Sequence, residues 1–252
     1  MSDCTIREDF ILPSRGKVYS KRINPNVAFR SMTTEDEMKR LAHSERPYKV
    51  LCDVIDDCMI GDKPDISSYD MCLGDYQYLL HRLRCVTYGS DYNMDTYCPY
   101  CGAINKITIN LDDLEVREYT EDVEKYITFT LPKSKKIVKL KPQTPRDIDD
   151  ISIKKKDILK RNPEMEGDPG LILTLKSLID TIDGEILDSV KLEQVLRKLP
   201  MQDTNRILKN AEKLTSAIGV ETDLDCTCKE CGGAYRSSFR ITPEFFGPDD
   251  DE

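Results

Sequence analysis

The sequence predicts an α+β protein. Two short β knuckles, far apart in the chain, close a mostly helical molecule that carries an inserted β-hairpin and helical bundle. Three observations predict it. Cys98-Pro99-Tyr100-Cys101-Gly102 and Cys228-Lys229-Glu230-Cys231-Gly232 are matching turns, each set between stretches with strand character. Tyr126–Leu131 and Ile137–Leu140 are β-branched or aromatic runs on either side of a Pro-Lys-Ser-Lys-Lys turn. Much of the remaining chain repeats apolar residues at three- and four-residue intervals, which marks one buried helix face.

Composition sets the bounds. A chain of 252 residues makes one large or two small domains. Hydrophobic residues are 39% and charged residues 33%, with no tryptophan, so the chain is globular with a strongly charged surface. The net charge of −9 argues against a dedicated nucleic-acid binder, which usually presents a basic face. No apolar run approaches the roughly 18 residues of a membrane span. The polar, acidic start Met1–Asp9 is not expected to be a signal peptide, so a reducing cytoplasm is the expected compartment. Six cysteines lie outside the two turns: Cys4, Cys52, Cys58, Cys72, Cys85 and Cys226. In that compartment they are expected to be reduced thiols rather than disulfides.

Residues 1–25 read as an N-terminal arm. Within it, Phe10-Ile11-Leu12 and Val18-Tyr19 are apolar anchors around a turn punctuated by Pro13 and Gly16. Such an arm packs on its own domain or docks on a neighbour. Val27–Met32 is a strand, and Thr34 with Glu37 fits a capping box opening a helix to about Ser44. A second helix starts at Pro47 with Val50, Leu51, Val54, Ile55 and Cys58 on one face. Residues 65–74 form a loop or short turn. A third helix runs from about Asp75 to Tyr88, with Gly89 as its cap and His81 as a packed residue near the edge of its stripe. Tyr92–Tyr97 and Asn105–Asn110 are strands flanking the first knuckle, and the acidic Leu111–Thr120 is a loop.

After the Tyr126–Leu140 hairpin, helices dominate. Thr144-Pro145 opens one to about Arg161. Leu171–Ile182, Asp188–Leu199 and Pro200–Ile218 continue the pattern, making a bundle of about four helices. Val220–Asp225 and Ala234–Ile241 are strands around the second knuckle. The predicted organisation is an arm over residues 1–25, a helical unit with a split knuckle pair over 26–122 and 219–247, an inserted hairpin and bundle over 123–218, and an acidic tail over 248–252.

Cys98, Cys101, Cys228 and Cys231 supply the four thiolates of a structural tetrahedral zinc site. The two-residue spacer lets both sulfurs of a turn face one ion, and the following glycine permits the positive φ such a turn needs. The strand–knuckle–strand pattern, twice repeated, is zinc-ribbon-like. An iron–sulfur cluster uses the same ligands. A redox pair opens a helix, whereas both turns here open strands. Catalytic zinc keeps an open coordination position, which four cysteines close. Cys226 in place of Cys228 fits the repeated spacing less well. No phosphate loop, nucleophile elbow or acid–base constellation stands in the sequence, so no enzyme and no small-molecule substrate are expected.

Several of these runs together resemble one family. They are Phe10-Ile11-Leu12-Pro13-Ser14-x-Gly16-x-x-Tyr19, the strand leading into Arg30-Ser31-Met32-Thr33-Thr34-Glu35-Asp36-Glu37, Leu73-Gly74-Asp75 opening a helix that ends near Tyr88-Gly89, Tyr97-Cys98-Pro99-x-Cys101-Gly102, and Cys228-x-x-Cys231-Gly232 with Phe245-Phe246. They are similar to the baseplate hub and hub-assembly proteins of T-even-type contractile-tailed bacteriophages. The resemblance implies a late viral protein of the infected host's cytoplasm or of the virion's tail baseplate. It implies a scaffold that meets other baseplate or hub proteins, with the Leu12-Pro13-Ser14 arm and the Phe245-Phe246 end as contact surfaces. The alternative that the knuckles alone suggest is a zinc-ribbon transcription or nucleic-acid-binding factor. An enzyme using the ribbon as structure is the third class.

Overall fold

The computed structural model describes residues 7–239, 241 and 245. β1 (Arg7–Ile11) pairs antiparallel with β2 (Asn26–Arg30), in the register Phe10 opposite Val27. Three helices follow, α1 (Thr34–Arg40), α2 (Pro47–Cys58) and α3 (Leu73–Tyr88). The apolar stripes of α2 and α3 meet β2 in a first core that includes Phe29, Leu51, Ile55, Leu79, Leu80 and Leu83. The capping box lies one residue earlier than the sequence suggests. Thr33 caps α1, and Asp36, not Glu37, returns the bond to the Thr33 N–H. Arg30 selects Asp36, because its guanidinium binds both carboxylate oxygens from the end of β2. α1 stops at Arg40, short of Ser44, and α3 starts at Leu73, ahead of Asp75.

The arm is part of this core. Leu12, Pro13 and Ser14 are buried. Ser14 donates its N–H and its hydroxyl to the Asp75 carboxylate at 2.9 and 2.5 Å, and the Tyr19 hydroxyl adds a third bond at 2.5 Å. Burial pushes the Asp75 carboxyl up, and these donors pull against that rise. Phe245 is buried too, its carbonyl accepting from Arg84 Nε at 3.1 Å. Neither Leu12-Pro13-Ser14 nor Phe245 is therefore an open contact surface, which corrects the expectation placed on them. Cys4, Phe246 and the acidic stretch 248–252 lie outside the described residues.

β3 (Asp91–Tyr97) and β4 (Ile104–Asn110) form the first knuckle hairpin. The acidic stretch after it is not wholly loop. It holds a turn at Leu111–Asp113 and the short β5 (Val116–Arg117). Tyr126 and Ile127 belong to a helical turn, α4 (Glu124–Ile127), rather than to a strand. Only β6 (Thr128–Thr130) remains of that run, paired with β7 (Ile137–Leu140). α5 (Pro145–Arg161) carries the expected Thr144 cap, closed by Asp147.

The next stretch departs from expectation. α6 (Gly170–Leu178) ends early, and β8 (Ile179–Ile182) joins β7 as a third strand. Leu171–Ile182 fits a helical period, but Ile179-Asp180-Thr181-Ile182 is also rich in β-branched residues. The open edge of β7 decides between the two. Asp183 and Gly184, both at positive φ, then turn the chain in two residues. α7 (Ser189–Arg197) and α8 (Met201–Ser216) complete a second core with Val18, Leu131, Val138, Leu175, Leu178, Ile207 and Leu214. The inserted segment is thus five helices, α4 to α8, on a three-stranded sheet rather than a bundle. Asp203 of α8 accepts from the Lys133 and Ser134 N–H groups at 2.8 Å each, fastening the hairpin turn.

The chain returns through a narrow place. β9 (Gly219–Val220) pairs with β5 and crosses the start of α3. A side chain at Gly74 would put its Cβ 2.3 Å from the Ile218 carbonyl oxygen, and one at Gly219 would meet the Gly74 backbone at 3.0 Å. β10 (Asp223–Thr227) and β11 (Ala234–Ser238) form the second knuckle hairpin. Among the described residues, no helix is long and apolar enough to cross a membrane.

Two predictions follow from this packing. Gly74→Ala forces backbone apart at the crossing, and a loss of about 1–3 kcal/mol, the usual cost of overpacking, is expected in urea unfolding; unchanged stability would contradict the close approach. Arg30 holds the Asp36 carboxyl well below the usual carboxylate range. The folded value is depressed, so its contribution is complete above the unfolded value near 3.9 and is lost as pH falls from there through the folded one. Asp36→Asn should be less stable than wild type at neutral pH, with the gap closing below pH ~4 by up to about 1.4 kcal/mol per pH unit. A gap independent of pH would show that the ion pair is not its source.

Candidate metal centre

The two knuckle hairpins are built alike. In the first, Cys98 N–H donates to Ala103 O and Gly102 N–H to Cys98 O, both at 2.9 Å. In the second, Cys228 N–H donates to Gly233 O at 3.0 Å and Gly232 N–H to Cys228 O at 2.9 Å. Gly102 and Gly232 take φ of 75° and 71°, the left-handed geometry that the turn requires and glycine supplies without strain. Each turn thereby points two sulfurs the same way.

The hairpins meet so that the turns face each other. The sulfurs of Cys98, Cys101, Cys228 and Cys231 all lie within 4.8 Å of one another. Cys98 Sγ is 3.7 Å from Cys231 Sγ, and Cys101 Sγ is 3.6 Å from Cys228 Sγ. These are not disulfides, whose sulfurs stand about 2.05 Å apart. They approach the edge of about 3.8 Å that four sulfurs make around one ion at about 2.3 Å. The donor set and its spacing fit a tetrathiolate metal site. Cys98 and Cys228 are buried, whereas Cys101 and Cys231 reach the surface.

The thiols do not titrate alike. The Cys231 and Glu230 N–H groups point at the Cys228 sulfur and, with the Asn105 amide, hold it down to about 6. The Ala103 N–H draws Cys101 down, but its neighbouring sulfurs outweigh it and leave that thiol pushed up to about 12. Four crowded sulfurs share protons unless a cation replaces them.

Behind the sulfurs, the inner hairpin faces pack on each other through Cys226, Tyr235, Ile107 and Leu224. Tyr235 OH and Thr96 Oγ1 share a hydrogen bond at 2.7 Å. Cys226 is buried in this small cluster, its thiol raised by that burial, and lies outside the group of four. Asn105 joins the knuckles. Its Oδ1 accepts from Lys229 N–H at 2.9 Å, and its Nδ2 faces Cys228 Sγ at 3.7 Å. Sequence reading missed it, although a signal was there. Asn105 follows Cys101 by the same interval at which Tyr235 follows Cys231, which makes it an inward-facing position of the repeat.

The other cysteines are separate. Cys52, Cys58, Cys72 and Cys85 are free and buried in the two cores, where desolvation raises their thiols. His81 is also buried, its Nε2 against the Leu111 carbonyl at 2.9 Å. Burial lowers its pKa, as expected of a packed neutral imidazole.

A family model described as "T4 bacteriophage base plate protein" matches residues 5–247. No curated protein and no solved structure matches the chain.

Proposed function

The chain belongs to the T4 bacteriophage base plate protein family, and on that premise we propose that it is a structural or assembly protein of the baseplate hub, a protein–protein scaffold braced by zinc on Cys98, Cys101, Cys228 and Cys231. The observation that supports the zinc reading best is the convergence of four cysteine sulfurs from two turns of one geometry. Zinc supplies no redox chemistry at such a site; it supplies a bond between segments distant in sequence. Partners are other baseplate or hub proteins, met in the host cytoplasm during assembly and in the tail of the virion. The family match lends no support to the nucleic-acid alternative.

The scaffold reading divides the chain into the units expected from sequence. An arm over 1–25 joins the unit of 26–122 and 219–247, and residues 123–218 form the insertion. The two large apolar clusters support this division, one drawn mainly from residues 12–114 with Phe239, Ile241 and Phe245 and the other mainly from 123–218. The ribbon-like pair of hairpins then sits where the insertion leaves and returns.

Purified protein should carry one zinc per chain, measured by elemental mass spectrometry. The Cys98→Ser, Cys101→Ser double variant should lose it, together with hydrogen-exchange protection over residues 91–110 and 223–238. Metal content and protection equal to wild type would sink the role given to these cysteines. For the baseplate role, mass spectrometry of purified virions and of tail-assembly intermediates should find the chain in at least one of them. Its absence from both is the outcome that defeats the proposal.

A further inference from the structure

We propose that Asn105 is the positioning residue of the four-cysteine site: its side-chain amide holds the Cys228 sulfur as a hydrogen-bonded thiolate and so sets how tightly a divalent ion is retained. The inference rests on the zinc reading given above.

Asn105 is 2% exposed, and each polar end of its side chain is engaged. Lys229 N–H can only donate, so the atom facing it at 2.9 Å must be the amide oxygen. That fixes the flip. Nδ2 then has to face the other way, toward the Ala103 carbonyl at 3.3 Å and the Cys228 sulfur at 3.7 Å. A side chain from the first knuckle thus grips the backbone and a ligand sulfur of the second. Cys228 is itself 2% exposed, so water offers it little help.

Four thiolates on a divalent ion leave the site with two excess negative charges. Donors aimed at sulfur spread that charge, and outer groups of this kind govern retention of the metal. The two halves differ here. Tyr235 stands at the matching place in the second hairpin, and its hydroxyl goes to Thr96 instead. The near-symmetric clasp therefore carries this amide on one side, at the junction between its halves.

The test uses the full chain loaded with Zn(II) or Co(II), with zinc affinity read by competition against a chromophoric chelator. Asn105→Asp keeps an oxygen for the Lys229 N–H but removes the donor to sulfur and adds a charge. Its zinc dissociation constant should rise about 10–100-fold. The sulfur-to-cobalt charge-transfer band should move to longer wavelength, because a thiolate without its hydrogen bond gives up electron density more readily. Asn105→Ala loses both contacts and should show the same band shift, which keeps the test readable if one variant folds poorly. A purely structural role predicts the reverse order, with Asn105→Ala impaired and Asn105→Asp close to wild type. Wild-type affinity and band position in Asn105→Asp overturn the proposal. Wild-type protein that takes up neither metal overturns the zinc reading itself.

Discussion

The arrangement depends on one crossing. The chain leaves the first core through β5 and builds the second, then comes back through β9 as the antiparallel partner of β5. The return is possible only because Gly219 passes over Gly74 at a distance that leaves no room for a side chain on either. Exit and return are neighbours in space, so the long separation between the two cysteine pairs carries no long open loop. The second core closes that loop by folding, and the entropy cost of bringing the knuckles together is met mainly by its packing. The same crossing sets the second hairpin beside the first.

A buried carboxylate fixes the other side of the junction. Asp75 sits at the start of α3, beside Gly74, and binds the Ser14–Tyr19 turn. That turn bridges the cores, since Leu12 belongs to the first and Val18 to the second. Burying an acid is costly, and the cost is offset only when each oxygen finds a donor in the right place. A shifted arm would leave Asp75 short of partners. The network therefore favours one placement of the arm more sharply than apolar contact would, because apolar contact tolerates sliding.

How much of this was legible in the sequence depends on the range over which each feature is decided. The cysteine turns were readable because their geometry is local: the spacing aims the sulfurs and a glycine allows the bend. The stripes of α2, α3 and α8 were readable because their faces are continuous. β8 was not, since Ile179–Ile182 satisfies both periods and the unpaired edge of β7, some forty residues earlier, settled it. The Tyr126–Leu131 run failed similarly, its β-branched composition giving way to a turn whose Val123 and Ile127 enter the second core. Asp203 was invisible as a joining residue because it acts on backbone N–H groups far along the chain, and for Asn105 the repeat marks an inward position but not the distant Lys229 N–H it binds. Sequence left the arm between packing on its own domain and docking on a neighbour, because an apolar run has no visible partner in sequence; Asp75 and the first core are its partners in space.

The four-sulfur cluster lies apart from both large cores. Neither core includes any of the four clustered cysteines. The hairpins are the thinner part of the fold, for an isolated two-stranded hairpin is marginal in water, and β3–β4 and β10–β11 are each two-stranded. The cluster between them is small: its buried members are Cys98, Cys226, Cys228 and Tyr235, so three of the four are cysteines. On the outer side, Tyr97 and Ile104 face each other across the first hairpin at 69% and 58% exposure, and contribute little to holding it. Tyr92, Met94 and Ile109 of the first hairpin and Leu224 of the second pack on the first core; nearer the turns, the hairpins are joined by the four-sulfur cluster, the Tyr235–Thr96 bond and the Asn105 bridge. An ion held by the four sulfurs would add strength where apolar burial is thinnest, acting on the placement of the hairpins. Under the proposed scaffold role that is where an ion would count most, since a surface can present a fixed shape to a partner only if the strands carrying it are themselves held.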